Sequence, residues 1–384
     1  MYSAGFTDPQ KATINYIEFS RDGLRMRRLP LLALALLIFL INPAQSQEEN
    51  AADPWLERAK EARLNGSWEL AFSYVGMSLD LDPGQALAWK EKGEICLLLG
   101  GYEESLESFD RAREIDPEST DLWYGTGNAF RFLNRYEEAI RCYNTAVEID
   151  PNHEKAWNNR GLVFGILGQY ERAIGSFDKA LESDPELAEA WNNKGLALRG
   201  LGHYKEAVEC FNRSLEMEPN NSYVWNSKGS VLSLLGLYDE AAESFDRSLS
   251  ITPSDPYPWN NKGLVLSNLG RYEEAAESFD QATKIDPEDS YAWKNRGLAL
   301  GALGRYDEAA ESFDEALNLD PEMADAWNNK GAVLNALGRY ENAIECFDRS
   351  IDIEPERADA WNNKGDALES LGRLKKRFDV SIRR

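Results

Sequence analysis

From Ala52 to the C-terminus the apolar positions keep helical spacing, interrupted at regular points by glycine and proline. The stretch Ala188 to Asn221 shows the pattern. Trp191, Gly195 and Leu198 stand at i, i+4 and i+7, the stripe of one amphipathic helix, and Ala207, Phe211 and Leu215 line a second. Gly202 falls between them, where a left-handed residue can close the first helix. Pro219 follows the second and excludes helical geometry from the residue before it. The segment therefore reads helix, turn, helix, turn. Gly195 and Ala207 are small enough to let the two backbones approach, and Trp191 and Phe211 fill the space beside them, the tryptophans forming the buried side.

The same pattern returns every 34 residues. Trp55, Trp89, Trp123, Trp157, Trp191, Trp225, Trp259, Trp293, Trp327 and Trp361 keep that interval, and prolines from Pro83 to Pro355 close the units. A unit of this length cannot bury its apolar face alone and must stack on its neighbours. Glycine four residues after tryptophan, a Leu-Gly-x-Tyr turn, then Ala, Phe and a closing Pro resemble the tetratricopeptide repeat (TPR). The resemblance implies an all-α helix-turn-helix solenoid, wound as a right-handed superhelix, with a concave groove lined by the first helices. Residues 52–357 hold nine repeats, and residues 358–384 hold a truncated tenth with a basic tail. The ends depart from the pattern, with Ala59, Trp68 and Val75 in the first repeat and Leu374 in the last. Lys375 to Ile382 reads as a second helix with three residues deleted.

Residues 1–46 stand outside the repeats. Arg25, Arg27 and Arg28 precede an apolar run, 29–41, and then Asn42-Pro43-Ala44-Gln45-Ser46, the order of a signal peptide and its cleavage site. Thirteen helical residues reach about 20 Å, short of the roughly 30 Å hydrocarbon core. The expectation is an exported, extracytoplasmic protein, secreted or held in the cell envelope, with Met26 as its true start. The alternative is an uncleaved anchor at 29–41 that ties the array to the membrane. The net charge is −24, and −26 without residues 1–46. Such acidity argues against nucleic acid and anionic lipid as partners, and confines membrane contact to the N-terminal segment. Cys142, Cys210 and Cys346 share one phase whole repeats apart, and Cys96 lies at a core phase. Helices packed at roughly 8–10 Å keep such sites beyond the ~7 Å Cα limit of a disulfide, so free, half-buried thiols are expected.

The sequence offers no catalytic constellation. His153 and His203 fall in turns and begin no metal site or triad, and no Lys-Ser/Thr follows the turn glycines as a phosphate loop requires. Paired carboxylates such as Glu273-Glu274 are periodic and read as a solvated face. The expectation is a non-enzyme without cofactor or metal. The TPR carboxylate clamp is not matched either: Lys90 is followed by Glu94, Gly125, Lys155 and Asn159. Asn65, Asn212 and Asn220 head Asn-x-Ser sequons, which export would open to glycosylation.

Recognition is the better prospect. The residue two after each tryptophan points some 200° around the helix from it, away from the second helix. Asn159, Asn193, Asn261, Asn295, Asn329 and Asn363 hold that phase, and Asn158, Asn192, Asn226, Asn260, Asn328 and Asn362 the one before. Asparagine costs about half a kcal/mol against alanine in a helix, so twelve call for a reason. A carboxamide donates and accepts, and a column of them can bind the backbone of an extended peptide without reading its sequence. Recent duplication, copying one asparagine with each repeat, is the competing origin. Tyr223, Tyr257 and Tyr291, two before their tryptophans, add an aromatic stripe or else cover the helix starts. A lysine or arginine three after most tryptophans is expected to lay its stem over the apolar stripe and pair with a neighbouring acid. These features point to a non-catalytic scaffold that binds other proteins as extended peptides in the groove. The alternative is a structural or assembly component of the cell envelope, acting by self-association.

Overall fold

The computed structural model describes the backbone of residues 53–382 and the side chains of residues 53–372. The leader, the apolar run 29–41 and the side chains of the basic tail lie outside the described residues. Among the described residues every regular element is an α-helix, nineteen in all, in two compact units. The first unit, up to Gln169, holds α1 (Pro54–Leu64), α2 (Trp68–Leu81), α3 (Ala86–Leu99), α4 (Tyr102–Ile115), α5 (Thr120–Phe132), α6 (Tyr136–Ile149) and α7 (Glu154–Ile166). The second, from Tyr170, opens with α8 (Tyr170–Ser183), α9 (Ala188–Gly200), α10 (Tyr204–Met217), α11 (Ser222–Leu234), α12 (Tyr238–Ile251) and α13 (Pro256–Asn268). It continues through α14 (Tyr272–Ile285), α15 (Ser290–Ala302), α16 (Tyr306–Leu319), α17 (Ala324–Ala336), α18 (Tyr340–Ile353) and α19 (Ala358–Ile382).

Within each unit every helix packs on the next in the chain, and each odd-numbered helix also touches the next odd-numbered one. The odd helices, each carrying one of the periodic tryptophans, are the first helices of their repeats, and together they form one continuous face per unit. The turn between first and second helices is closed where the sequence placed it: Gly202 takes φ +79°. In the third repeat Asn134 fills this role at φ 58°, the non-glycine residue that best tolerates a left-handed backbone.

The core lies between first and second helices. Phe211 is fully buried, and a Cβ on Gly195 would meet its Cε1 at 2.7 Å, so this glycine seats the ring as well as easing helix approach. Phe109, Phe245, Phe279, Phe313 and Phe347 are buried in the same way. Fully burying such a ring contributes about 1.5–3 kcal/mol, which makes the second-helix phenylalanine the principal anchor of the repeats that carry it. The tryptophans are not the buried constant that their period suggested. Their indoles are half-buried, and Trp361 is 52% exposed. Each indole edge needs an acceptor, and it finds one in the turn: Trp89 through Trp361 donate from Nε1 to the carbonyl of the proline six residues earlier, at 2.8–3.1 Å.

The last repeat also departs from expectation. α19 runs unbroken from Ala358 to Ile382 where a turn and a shortened second helix were expected. Gly372 stays out of the left-handed region that every closing turn glycine adopts. The residues after it, Arg373-Leu374-Lys375-Lys376-Arg377, are strong helix formers, and nothing in them stops the helix.

Candidate functional site

The first-helix face is built by a four-residue stripe. Tyr257, Asn260, Asn261 and Leu264 stand at i, i+3, i+4 and i+7 of α13 and therefore share one side of it. Tyr223 and Asn226 on α11, and Tyr291, Asn295 and Leu298 on α15, repeat the stripe, and these three helices are consecutive neighbours. The tyrosines are open to solvent, 52%, 56% and 45% exposed for Tyr223, Tyr257 and Tyr291.

The asparagines are more deeply set and are bonded to one another. In the second unit Asn261 Nδ2 donates to Asn226 Oδ1 at 3.1 Å, Asn295 to Asn260 at 3.1 Å, and Asn363 to Asn328 at 3.0 Å. In the first unit Asn159 Nδ2 donates to Asn128 Oδ1 at 2.8 Å and to the Tyr124 hydroxyl at 3.2 Å. Asn128 Oδ1 accepts a second bond from the buried Tyr143 hydroxyl at 2.7 Å. In these four bonds the asparagine two after one tryptophan donates back to the first helix of the preceding repeat. Asn158 and Asn192 are buried and donate to the carboxamide oxygens of Asn159 and Asn193 beside them, while Asn192 Oδ1 is buried without a donor among the described residues. Asn193 is also buried, Asn329 is half-buried and Asn362 is exposed.

The column is thus a series of amide pairs, each bridging two neighbouring first helices, in place of a row of separate amides. Asn128 and Tyr124 belong to it and escaped the sequence reading, although Tyr124 holds the position one after its tryptophan. The spacing of 35 residues, one more than the period, was the signal that could have linked the amides. In the second unit the pairing is interrupted twice: between α9 and α11, where Ser227 stands two after Trp225 and Asn192 Oδ1 has no donor among the described residues, and between α15 and α17. Lys294 replaces asparagine at its phase, is 8% exposed, and pairs with Asp325 at 2.9 Å.

The same face in the first unit is a network of charges. Arg63 pairs with Glu91 at 2.6 Å and Glu94 at 3.3 Å, Lys90 with Glu94 at 3.8 Å and with Asp121, and His153 Nε2 lies 3.8 Å from Asp121. Burial pushes the Glu94 carboxyl above its ordinary value against the pull of Lys90 and Arg63, whereas the hydrogen bond from Lys90 holds Asp121 below its own. Lys90 spends its charge here.

Several of the cations three after tryptophan behave as the sequence implied, whereas Lys228 lies over its indole without an ion pair among the described residues. Lys194, Lys262 and Lys364 lie 5.5, 5.7 and 5.4 Å from the centroids of their own indoles. They reach Asp178, Asp246 and Asp348 on the preceding second helix at 2.7, 2.6 and 2.5 Å. Each therefore clips one repeat to the one before it.

Cys96, Cys142, Cys210 and Cys346 are free and buried, and burial lifts their thiols from 9.0 to about 11. Among the described residues no group of three His, Cys, Asp or Glu side chains could hold a metal ion. His153 Nδ1 accepts from the Ala156 amide at 3.1 Å and caps α7. Among the described residues no helix is long and apolar enough to cross a membrane.

Comparison with known proteins agrees with this architecture. Models of the tetratricopeptide repeat match residues 56–120, 154–187, 188–221, 210–243, 260–321, 295–355 and 336–376, and a TPR repeat model matches 127–165. Among solved structures, YrrB, a TPR protein with an unusual peptide-binding site, is 26% identical with a TM-score of 0.45, over 49% of this chain and 97% of that one. A tetratricopeptide repeat protein from Parabacteroides merdae is 19% identical with a TM-score of 0.49, over 64% of this chain and 97% of that one. PilF of Pseudomonas aeruginosa is 19% identical with a TM-score of 0.49, over 56% and 97%. No curated protein matches the chain.

Proposed function

The chain belongs to the tetratricopeptide-repeat family, whose members mediate protein–protein interactions, and on that premise we propose that it is a non-catalytic scaffold that binds extended peptide segments of other proteins along its first-helix face. The observation that carries this reading is the set of bridging amide pairs of the second unit. A carboxamide has two hydrogens to give and two lone pairs to accept with. The bonds from Asn261 to Asn226 and from Asn295 to Asn260 use one hydrogen and one lone pair each. The amides are held in place by each other and keep capacity for the N–H and C=O groups of an extended chain, which asks for backbone contacts more than for particular side chains.

Replacing Asn226, Asn261 and Asn295 by alanine in the full chain tests this. Capture of extended sequences on a peptide array should fall about tenfold or more while circular dichroism keeps its helical signal. Undiminished capture by the folded triple variant would reject the amide face as the binding site.

We further propose an extracytoplasmic site of action. The support is the sequence from Arg25 to Ser46, basic residues followed by an apolar run and an Ala-x-Ser site. Cell fractionation with N-terminal sequencing of the mature chain tests it: a start just after residue 46 is the expected result, and an unprocessed cytoplasmic chain contradicts it.

A further inference from the structure

Resting on the reading of the first-helix face as a peptide site, we infer that the second unit selects a proline-rich segment in the polyproline II conformation, flanked by basic residues. Three observations converge. The first is the tyrosine row. Tyr223, Tyr257 and Tyr291 occupy one phase of three neighbouring first helices, and all three rings are about half exposed. Leu298, 41% exposed, and Leu264 lie one stripe position further along α15 and α13. Exposed aromatic rings at repeating intervals are suited to flat, apolar pyrrolidine rings, the mode by which proline-rich segments dock in aromatic-lined grooves.

The second is the period. Helices in contact lie about 8–10 Å apart, and the bond between Asn261 and Asn226 ties α13 to α11 within the reach of two short side chains. A polyproline II helix has three residues per turn at about 3.1 Å each, so the same face returns after about 9 Å. One proline in three therefore meets a tyrosine, repeat after repeat. This conformation makes no internal hydrogen bonds, so its carbonyls are free to accept. The unspent amide hydrogens of Asn261 and Asn295 stand four residues from the tyrosines on the same stripe and can donate to those carbonyls. Proline lacks an N–H, and here the missing donor is no loss.

The third is charge. Glu189 holds the tyrosine phase in the repeat before Tyr223, and Asp325 and Asp359 hold it in the two repeats after Tyr291. Asp325 is partly spent on Lys294 and Asp359 on Arg357, whereas Glu189 is exposed. Acid brackets the aromatic row, and the chain as a whole carries −24, so a cationic flank is favoured over an anionic one.

Fluorescence anisotropy on the full chain tests the inference with labelled peptides that carry a central run of about seven prolines, enough to pass three tyrosines, between lysines or between glutamates. A third peptide replaces the prolines by glycine and serine and keeps the lysines. The lysine-flanked proline peptide should bind at least about tenfold more tightly than the other two, and Tyr257→Ala should remove most of that margin. Tyr257 is exposed, so the variant should keep its melting temperature. Equal binding of the proline and glycine-serine peptides, or no response to Tyr257→Ala, overturns the inference and leaves the amide-face reading intact if the Asn226, Asn261 and Asn295 variant still loses capture on the array. Stronger binding of the glutamate-flanked peptide also overturns it.

Discussion

The indole Nε1 of Trp225 donates to the carbonyl of Pro219 at 2.9 Å, so the two residues that mark the 34-residue period in the sequence are joined to each other in the fold. The bond fixes the entry of α11 against the turn from α10. Trp225→Phe keeps most of the apolar area and removes only this bond, and should cost about 1 kcal/mol in urea denaturation. Trp225→Ala loses the half-buried ring as well, and Phe245→Ala loses a ring that is 1% exposed. The large-to-small cost of about 3–5 kcal/mol therefore applies to Phe245, with Trp225→Ala below it. A larger loss at Trp225 than at Phe245 would return the tryptophan to the core.

The glycine four after Trp225 makes a second prediction with a counterintuitive sign. Alanine favours a helix interior over glycine by about 1 kcal/mol, so Gly229→Ala ought to stabilise α11. A Cβ at Gly229 would instead meet Phe245 Cε1 at 2.7 Å, inside a ring that is fully packed. Overpacking of this kind costs about 1–3 kcal/mol, enough to reverse the gain. Thermal unfolding should show Gly229→Ala less stable than the parent, and an unchanged or raised midpoint would contradict the close seat of the ring.

The helices and their punctuation could be read from the chain because each signal acts locally: helical spacing of Gly195 and Leu198, a left-handed residue at Gly202, a proline at Pro219. What escaped reading depends on contacts between repeats. Trp225 looked like core because it is large and periodic, yet its polar edge needs an acceptor, and Pro219 supplies one from the solvent side. Asn261 looked like an open ligand donor, and its partner Asn226 lies 35 residues away, a separation that has meaning only once the register of α11 and α13 is known. The end of α19 was misread for the opposite reason: homology to its neighbours suggested a turn where the local helix propensity of residues 373–377 allows none.

The four thiols supply a pH dependence whose sign is fixed. Burial raises Cys96, Cys142, Cys210 and Cys346 from 9.0 to about 11 in the folded chain. Above the unfolded value the unfolded chain releases protons that the folded chain still holds, so stability must fall as pH rises, beginning near 9 and continuing to about 11. Lysine and tyrosine titrate in the same range, so the readout is the difference from a variant with all four cysteines replaced by alanine. The parent should lose stability more steeply through that window. At about pH 8, a thiol reagent such as DTNB should label the native protein slowly and the unfolded protein at once, and rapid native labelling would contradict the buried, neutral state.

Arg113 and Thr126 form an exchanged pair, and their coupling can be measured. In Lys194, Lys262 and Lys364 the cation over the indole comes from three residues after the tryptophan and pairs with the aspartate of the preceding second helix. In the third repeat that position is Thr126, too short to do either, and a cavity of about 340 Å³ opens beside it. Arg113 takes over both tasks from α4: its guanidinium lies 4.3 Å from the Trp123 centroid and pairs with Asp110, the equivalent of Asp178. The position of Arg113 is a buried leucine at Leu181, Leu215 and Leu249, so the chain has moved its cation from one helix to the next and given up an apolar contact. Thr126→Lys alone sets two cations against one indole and one carboxylate, and Arg113→Leu alone leaves both without a cation. The double substitution restores the arrangement of the other repeats. A double-mutant cycle in urea should therefore give a favourable coupling of about 1 kcal/mol between the two changes. Additive effects, within about 0.3 kcal/mol, would mean that the two positions do not share one partner.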